Sequence, residues 1–107
     1  MLFRSALEVG KSLRGESNRV LDQERTELMV TRQRAGLDRG FGLGFEVNRT
    51  GESFRFRFDG SNRGYRCRLV FYPDPGDGAV IMTNGGRGDE VIVDLMRQLR
   101  SEYKWPL

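Results

Sequence analysis

Ser101-Glu102-Tyr103-Lys104 is the only Ser-x-x-Lys in this chain. On a helix that spacing brings a lysine amine within reach of a serine hydroxyl, where it can take the proton of a nucleophile. The pair lies close to Leu107, the end of the sequence, where chains fray, so it is not read as catalytic. There is no histidine and only one cysteine, Cys67, so the chain holds no serine–histidine or cysteine–histidine dyad, no internal disulfide and no multi-cysteine metal site. Asp74 and Asp77, among turn formers, read as shaping a turn rather than holding a cation. Gly10-Lys11-Ser12 has the ending of a phosphate-binding loop. The leading glycine of such a loop would fall at Ser5, and no strand pattern precedes it, so it is read as a chance match. Gly40, Gly42 and Gly44 miss the dinucleotide-binding spacing, and no cofactor is expected. Asn48-Arg49-Thr50 fits a glycosylation acceptor but has no exported context.

Two groups remain. Cys67 stands between Arg66 and Arg68, but strand alternation turns it to the opposite face with Tyr65 and Leu69, as a structural thiol. Arg55, Arg57, Arg66 and Arg68 would share one sheet face if their strands pair. With Tyr72 nearby they form a candidate anion-binding patch, able in principle to contact phosphates and stack bases of a single strand. The competing reading is a salt-bridged face, with Glu46 and Glu52 at hand. The charge of +3 is modest and no RNA-binding signature is present, so nucleic acid is not the favoured partner.

The elements that must position these groups are legible from periodicity. Leu2, Phe3, Ala6, Leu7 and Leu13 predict an amphipathic helix over 2–13. Residues 22–32 predict a shorter one with Leu28 and Met29 turned inward. Alternation predicts three strands carrying Leu43–Val47, Phe54–Phe58 and Tyr65–Phe71 on their apolar sides. A fourth, Ala79–Thr83, is apolar on both faces and is expected to be central. A last helix runs from about Asp89 to Tyr103, with Ile92, Leu95, Met96, Leu99 and Tyr103 in one stripe. The expected fold class is α+β: an antiparallel sheet of about four strands, the N- and C-terminal helices packed on one face.

A length of 107 residues fits one domain without a linker or repeat. The cations are arginines apart from Lys11 and Lys104. No run approaches the ~20 apolar residues of a membrane span. The N-terminus carries Arg4 and Glu8 and does not read as a secretory signal; a cytoplasmic location without membrane association is expected.

The run Gly60-Ser61-Asn62-Arg63-Gly64-Tyr65 to Pro73, followed by Gly76 to Gly85, resembles the C-terminal strands of serine hydrolases of the β-lactamase and penicillin-binding-protein superfamily, especially class C and esterase-like members. Leu21 to Met29, Phe41-Gly42-Leu43-Gly44-Phe45 and Glu102-Tyr103-Lys104-Trp105-Pro106 are similar to further stretches of that family. The resemblance implies a partial β-lactamase-like fold equivalent to the last third of such an enzyme. The region carrying its nucleophile has no counterpart here. The family's third motif, a His-Gly-Gly or Lys-Thr-Gly triplet, reads Phe58-Asp59-Gly60, followed by Ser61, whose N–H would be an oxyanion donor. Phenylalanine can neither move a proton nor bind an anion. The resemblance thus implies a degenerate motif, no catalytic residue, and a non-catalytic remnant acting in assembly or interaction. Two alternatives stand beside it: anionic-ligand binding through the arginine face, and one half of a split hydrolase. A homodimer is expected, because loss of the helical region would uncover Val70 and Tyr72, with Val80 or Met82, and leave an open strand edge. The other partner considered is a separate chain carrying the missing catalytic region.

Overall fold

The computed structural model describes residues 2–16, 20–31, 39–42, 44–50, 53–74 and 76–106. In chain order these form α1 (Leu2–Leu13), α2 (Gln23–Val30), β1 (Arg39–Phe41), β2 (Glu46–Thr50), β3 (Ser53–Asn62), β4 (Tyr65–Tyr72), β5 (Asp77–Thr83) and α3 (Gly88–Tyr103). The strands make one antiparallel sheet in sequential order β1-β2-β3-β4-β5. This is the expected α+β class with flanking helices. The additional strand, β1, arises because the chain bends between Phe41 and Glu46. Gly44 there has φ +113°, a conformation open to glycine, and the Gly42 N–H donates to the Phe45 carbonyl at 2.8 Å.

Two hydrophobic clusters sit on opposite faces of the sheet. On one face Val47, Phe56, Leu69 and Phe71 are buried with Val30 of α2, and Val9 and Leu13 of α1 pack on them. Phe56 lies 5.0 Å from Phe45 and 5.3 Å from Phe71, ring centre to ring centre, tilted pairs worth ~0.5–1.5 kcal/mol each beyond area burial. On the other face Val70 and Tyr72 are buried with Ile92 and Met96 of α3 and with Trp105.

The terminal helices therefore cover opposite faces, not one. The alternation of β4 supplies the reason: Leu69 and Phe71 point one way, Val70 and Tyr72 the other, and each apolar pair takes its own helix. The same division corrects the expectation for β5. It is apolar on both sides because Val80 meets the α1 layer while Ala79 and Ile81 meet the α3 layer, yet it is the last strand of the sheet rather than a central one.

Local signals set the helix positions. Asp22 caps α2, its carboxylate accepting from the Arg25 N–H at 2.9 Å. The buried residues of α2 are Thr26 and Val30, one turn apart, while Leu28 is exposed, so the inward stripe lies to one side of the expected one. Helix α3 ends at Lys104 in the left-handed conformation. The reversal lets the Trp105 N–H donate back to the Arg100 carbonyl at 3.2 Å and lays the Trp105 ring 5.0 Å from that of Tyr72. Among the described residues no helix is long and apolar enough to cross a membrane.

Candidate functional site

The triplet Phe58-Asp59-Gly60 and Ser61 lie in the second half of β3, opposite Leu69, Arg68, Cys67 and Arg66 of β4 respectively. A two-residue loop, Arg63-Gly64, closes the hairpin, with Gly64 at φ +78°. Phe58 is half-exposed on the α1 face and meets Phe45 edge-on at 6.4 Å. Asp59 points to the α3 face and accepts from Arg68 Nε and Nη2 at 2.7 and 2.8 Å, a two-pronged pair. That contact raises the Arg68 guanidinium above its ordinary pKa. Gly60 has a packing reason of its own: a Cβ there would stand 2.4 Å from Cys67 Sγ. Ser61 is exposed. Within this segment Phe58 and Gly60 meet packing neighbours and Asp59 is held in an ion pair.

The four arginines do share one face, as alternation and the β3–β4 register require. Three of them hold carboxylates. Arg57 donates to Glu46 Oε2 at 2.9 and 3.0 Å, Arg66 to Asp89 at 3.1 Å, and Arg68 to Asp59. Arg55 is different: its Nη1 reaches only the Tyr72 hydroxyl, at 3.4 Å. Tyr72, expected as a stacking surface, is 1 % exposed beneath α3 and offers no ring face to a base. Glu52 lies outside the described residues.

The remaining sequence candidates are placed apart from this face. Ser101 and Lys104 are both exposed, Ser101 in the last turn of α3 and Lys104 at its left-handed C-cap. Gly10 lies within α1, where a Cβ would come 2.6 Å from the Phe71 ring; the glycine brings helix and sheet together instead of cradling a phosphate. Cys67 is half-buried on the α1 face, away from Arg66 and Arg68, as alternation predicts. Asp77 accepts from the Trp105 indole N–H at 3.0 Å. An open cavity of about 370 Å³ lies between α1, α2 and the sheet; at its wall the Arg49 guanidinium stands 5.2 Å from the centre of the Phe54 ring.

Sequence reasoning missed Arg100 and Asn48. Arg100 is partly buried and its Nε is sealed from solvent. The signal was available: Arg100 follows Met96 by four residues and belongs to the same stripe of α3. Asn48 faces Arg55 across β2 and β3, a register that no single strand reveals.

No family model matches the chain, and no curated protein does. Among solved structures, the penicillin-binding protein from Bacillus halodurans superposes with a TM-score of 0.64 at 18% identity, over 82% of this chain and 27% of that one. The likeness shows the fold: this chain has the architecture of part of a penicillin-binding protein and spans about a quarter of that neighbour's length.

Proposed function

We propose that this chain is a non-catalytic assembly module built on a portion of the β-lactamase-like fold, and that it assembles as a homodimer through the β5 side of the sheet. The observation that carries this reading is β5 itself. It is seven residues long, apolar on both faces and free of proline and lysine, and no described strand pairs with its outer edge. Such an edge offers unpaired N–H and C=O groups to another strand. Next to it lies an exposed apolar area on the α1 face. Met82 is 72 % exposed, and Phe58 and Tyr65 are 49 % and 62 % exposed. The surface differs from the one expected from sequence, because α3 has taken Val70 and Tyr72. A two-fold contact pairing β5 with β5 would extend the sheet and cover Met82 in both copies.

Light scattering behind a sizing column tests the dimer. A mass near twice 12.3 kDa is expected at micromolar concentration, returning to the single-chain value in Met82→Asp. A single-chain mass at every concentration would overturn the reading. The non-catalytic half is tested by incubating the protein with a chromogenic β-lactam and an aryl ester. No saturable turnover is expected from the protein or from Phe58→His, since restoring a proton carrier supplies no nucleophile. Turnover abolished by Ser101→Ala would overturn it.

A second reading is favoured by the share of the neighbour that is matched: 27% of a penicillin-binding protein leaves room for a separate chain to supply the remainder of a serine hydrolase. Under this reading the purified chain is monomeric, and hydrolysis appears only when that second chain is added.

A further inference from the structure

Helix α3 carries apolar residues that its own sheet leaves uncovered. Its buried stripe is Gly88, Ile92 and Met96. Val91 and Leu95, one turn apart on one flank of that stripe, are 51 % and 40 % exposed. Chirality decides which way this flank looks. The even-numbered side chains of β4 face α3, and their carbonyls turn toward β5. That of Tyr72 accepts from the Gly76 N–H in the turn, and that of Arg66 from the Thr83 hydroxyl. Seen from α3 with β4 running upward, L-residues so arranged put β5 on the right. Helix α3 also runs upward, from Gly88 beside Arg66 to Trp105 against Tyr72. A right-handed helix in that position turns Val91 and Leu95 to the right, over and past β5, and Asp89 to the left.

The exposed flank thus overhangs the strand edge proposed above for assembly, and that edge fixes what lies opposite. Alternate residues of β5 turn their backbone groups to β4, so Gly78, Val80 and Met82 turn theirs outward. Closed two-fold pairing of this edge with itself is antiparallel, about an axis perpendicular to the sheet. Both α3 helices then lie on one face. Full overlap of Asp77–Thr83 sets Val80 opposite its copy and Met82 opposite Gly78, which is exposed and has no side chain to collide. Helix α3 packs on Ala79 and Ile81 of β5 and on Val70 and Tyr72 of β4, which puts it about one strand spacing from that axis. The two helices are therefore two spacings apart, roughly 9–10 Å, the separation of packed helices. Helix α3 also spans the same length of sheet as β5. Gly88 stands at Thr83, and beyond the other end the Trp105 N–H is bonded to Asp77, so Leu95 falls near the axis. From this geometry, and resting on the β5 pairing, we infer that the outer flank of α3 docks on the α3 of a second copy. Leu95 meets its counterpart and Val91 packs beside it. The antiparallel course brings Arg87 of each chain to Glu102 of the other, ends that are complementary in charge.

Sedimentation equilibrium, which measures the dimer's dissociation constant, and thiol cross-linking together test it. Leu95→Glu sets two like charges face to face at the axis and should weaken the dimer about tenfold or more. Urea unfolding of the dilute single chain should be unchanged, because Leu95 is exposed there. Arg87→Glu and Glu102→Arg should each weaken the dimer about threefold, as exposed ion pairs do, and the double variant should recover most of that loss. In a Cys67→Ser background, which removes the chain's one native thiol, Leu95→Cys should be joined to its copy by a short bifunctional maleimide. Val93→Cys, exposed on the opposite flank of α3, should not. A single-chain mass for the unaltered protein at every concentration would overturn both this inference and the β5 pairing beneath it. A dimer whose dissociation constant ignores Leu95→Glu, or that cross-links no better through Leu95→Cys than through Val93→Cys, would overturn the helix contact alone. Additive losses in the Arg87→Glu/Glu102→Arg double variant would do the same.

Discussion

At the scale of single residues, the positions that resemble a catalytic motif have structural work of another kind. Phe58 packs against Phe45, Gly60 makes room for Cys67, and Asp59 joins two arginines of the α3 face, Arg68 at 2.7 Å and Arg57 at 4.0 Å. Alternation alone showed that Arg55, Arg57, Arg66 and Arg68 share a face. Which of them are neutralised was not legible, because it depends on the register that sets Asp59 against Arg68 and Glu46 against Arg57. An ion pair between strands is a property of two segments at once. The arrangement predicts the effect of Asp59→Ala. Arg68 is 18 % exposed at its side chain and would keep its charge with its two strongest bonds gone. A loss of about 1 kcal/mol is expected, above the median for a surface pair because the arginine is partly buried. Chemical denaturation with urea measures it. Asp59→Asn should recover part of the loss by accepting one bond, and wild-type stability in Asp59→Ala would show that the pair contributes nothing.

At the scale of elements, helical and strand periodicities were readable wherever one face is clearly apolar: α1 falls on 2–13 as its spacing predicts, and α3 begins one residue from the expected Asp89. What could not be read is which face each helix covers, since β4 is apolar on both sides over Leu69–Tyr72 and period two names no occupant. The continuous apolar run of β5 misled for a related reason. Burial by two helical layers looks in sequence like burial between two strands. The junction of β5 and α3 carries its own prediction. Gly88 is buried at the first position of α3, and a Cβ there would fall 1.8 Å from Thr83 Oγ1 and 3.0 Å from Arg66 Cβ. Thr83 is itself held by donating to the Arg66 carbonyl at 3.0 Å. Gly88→Ala must therefore push α3 off the sheet end, an overpacking cost of ~1–3 kcal/mol. The corresponding fall in Tm is roughly 4–8 °C per kcal/mol for a domain near this size. Thr83→Ala removes the colliding oxygen, so the double variant should be less destabilised than the sum of the two singles. Simple additivity would mean that the collision is relieved some other way.

At the scale of the whole molecule, the sheet has two unlike ends. β1 is three residues long, too short to offer much of an edge, and β5 is seven residues long and apolar. In an antiparallel strand alternate N–H groups point to one neighbour and the rest away from it. On β5 one set is bonded to β4, and the other faces outward along Asp77–Thr83. In a monomer the outward set meets water and should exchange its hydrogens quickly even while the sheet is intact. In a β5-to-β5 dimer that same set is bonded to the second copy. Exchange would then require either dissociation or opening of the sheet. Native-state hydrogen exchange followed at each amide thus separates the two arrangements without relying on mass. The dimer predicts protection at every amide of β5, slower exchange as protein concentration rises through the dissociation constant, and selective loss of the outward protection in Met82→Asp. The amides shared by β3 and β4 should be unaffected by concentration, since their partners lie within one chain, and they serve as the internal reference. Fast, concentration-independent exchange at alternate residues of β5 would mean that this edge faces solvent and that the chain assembles, if it does, through another surface.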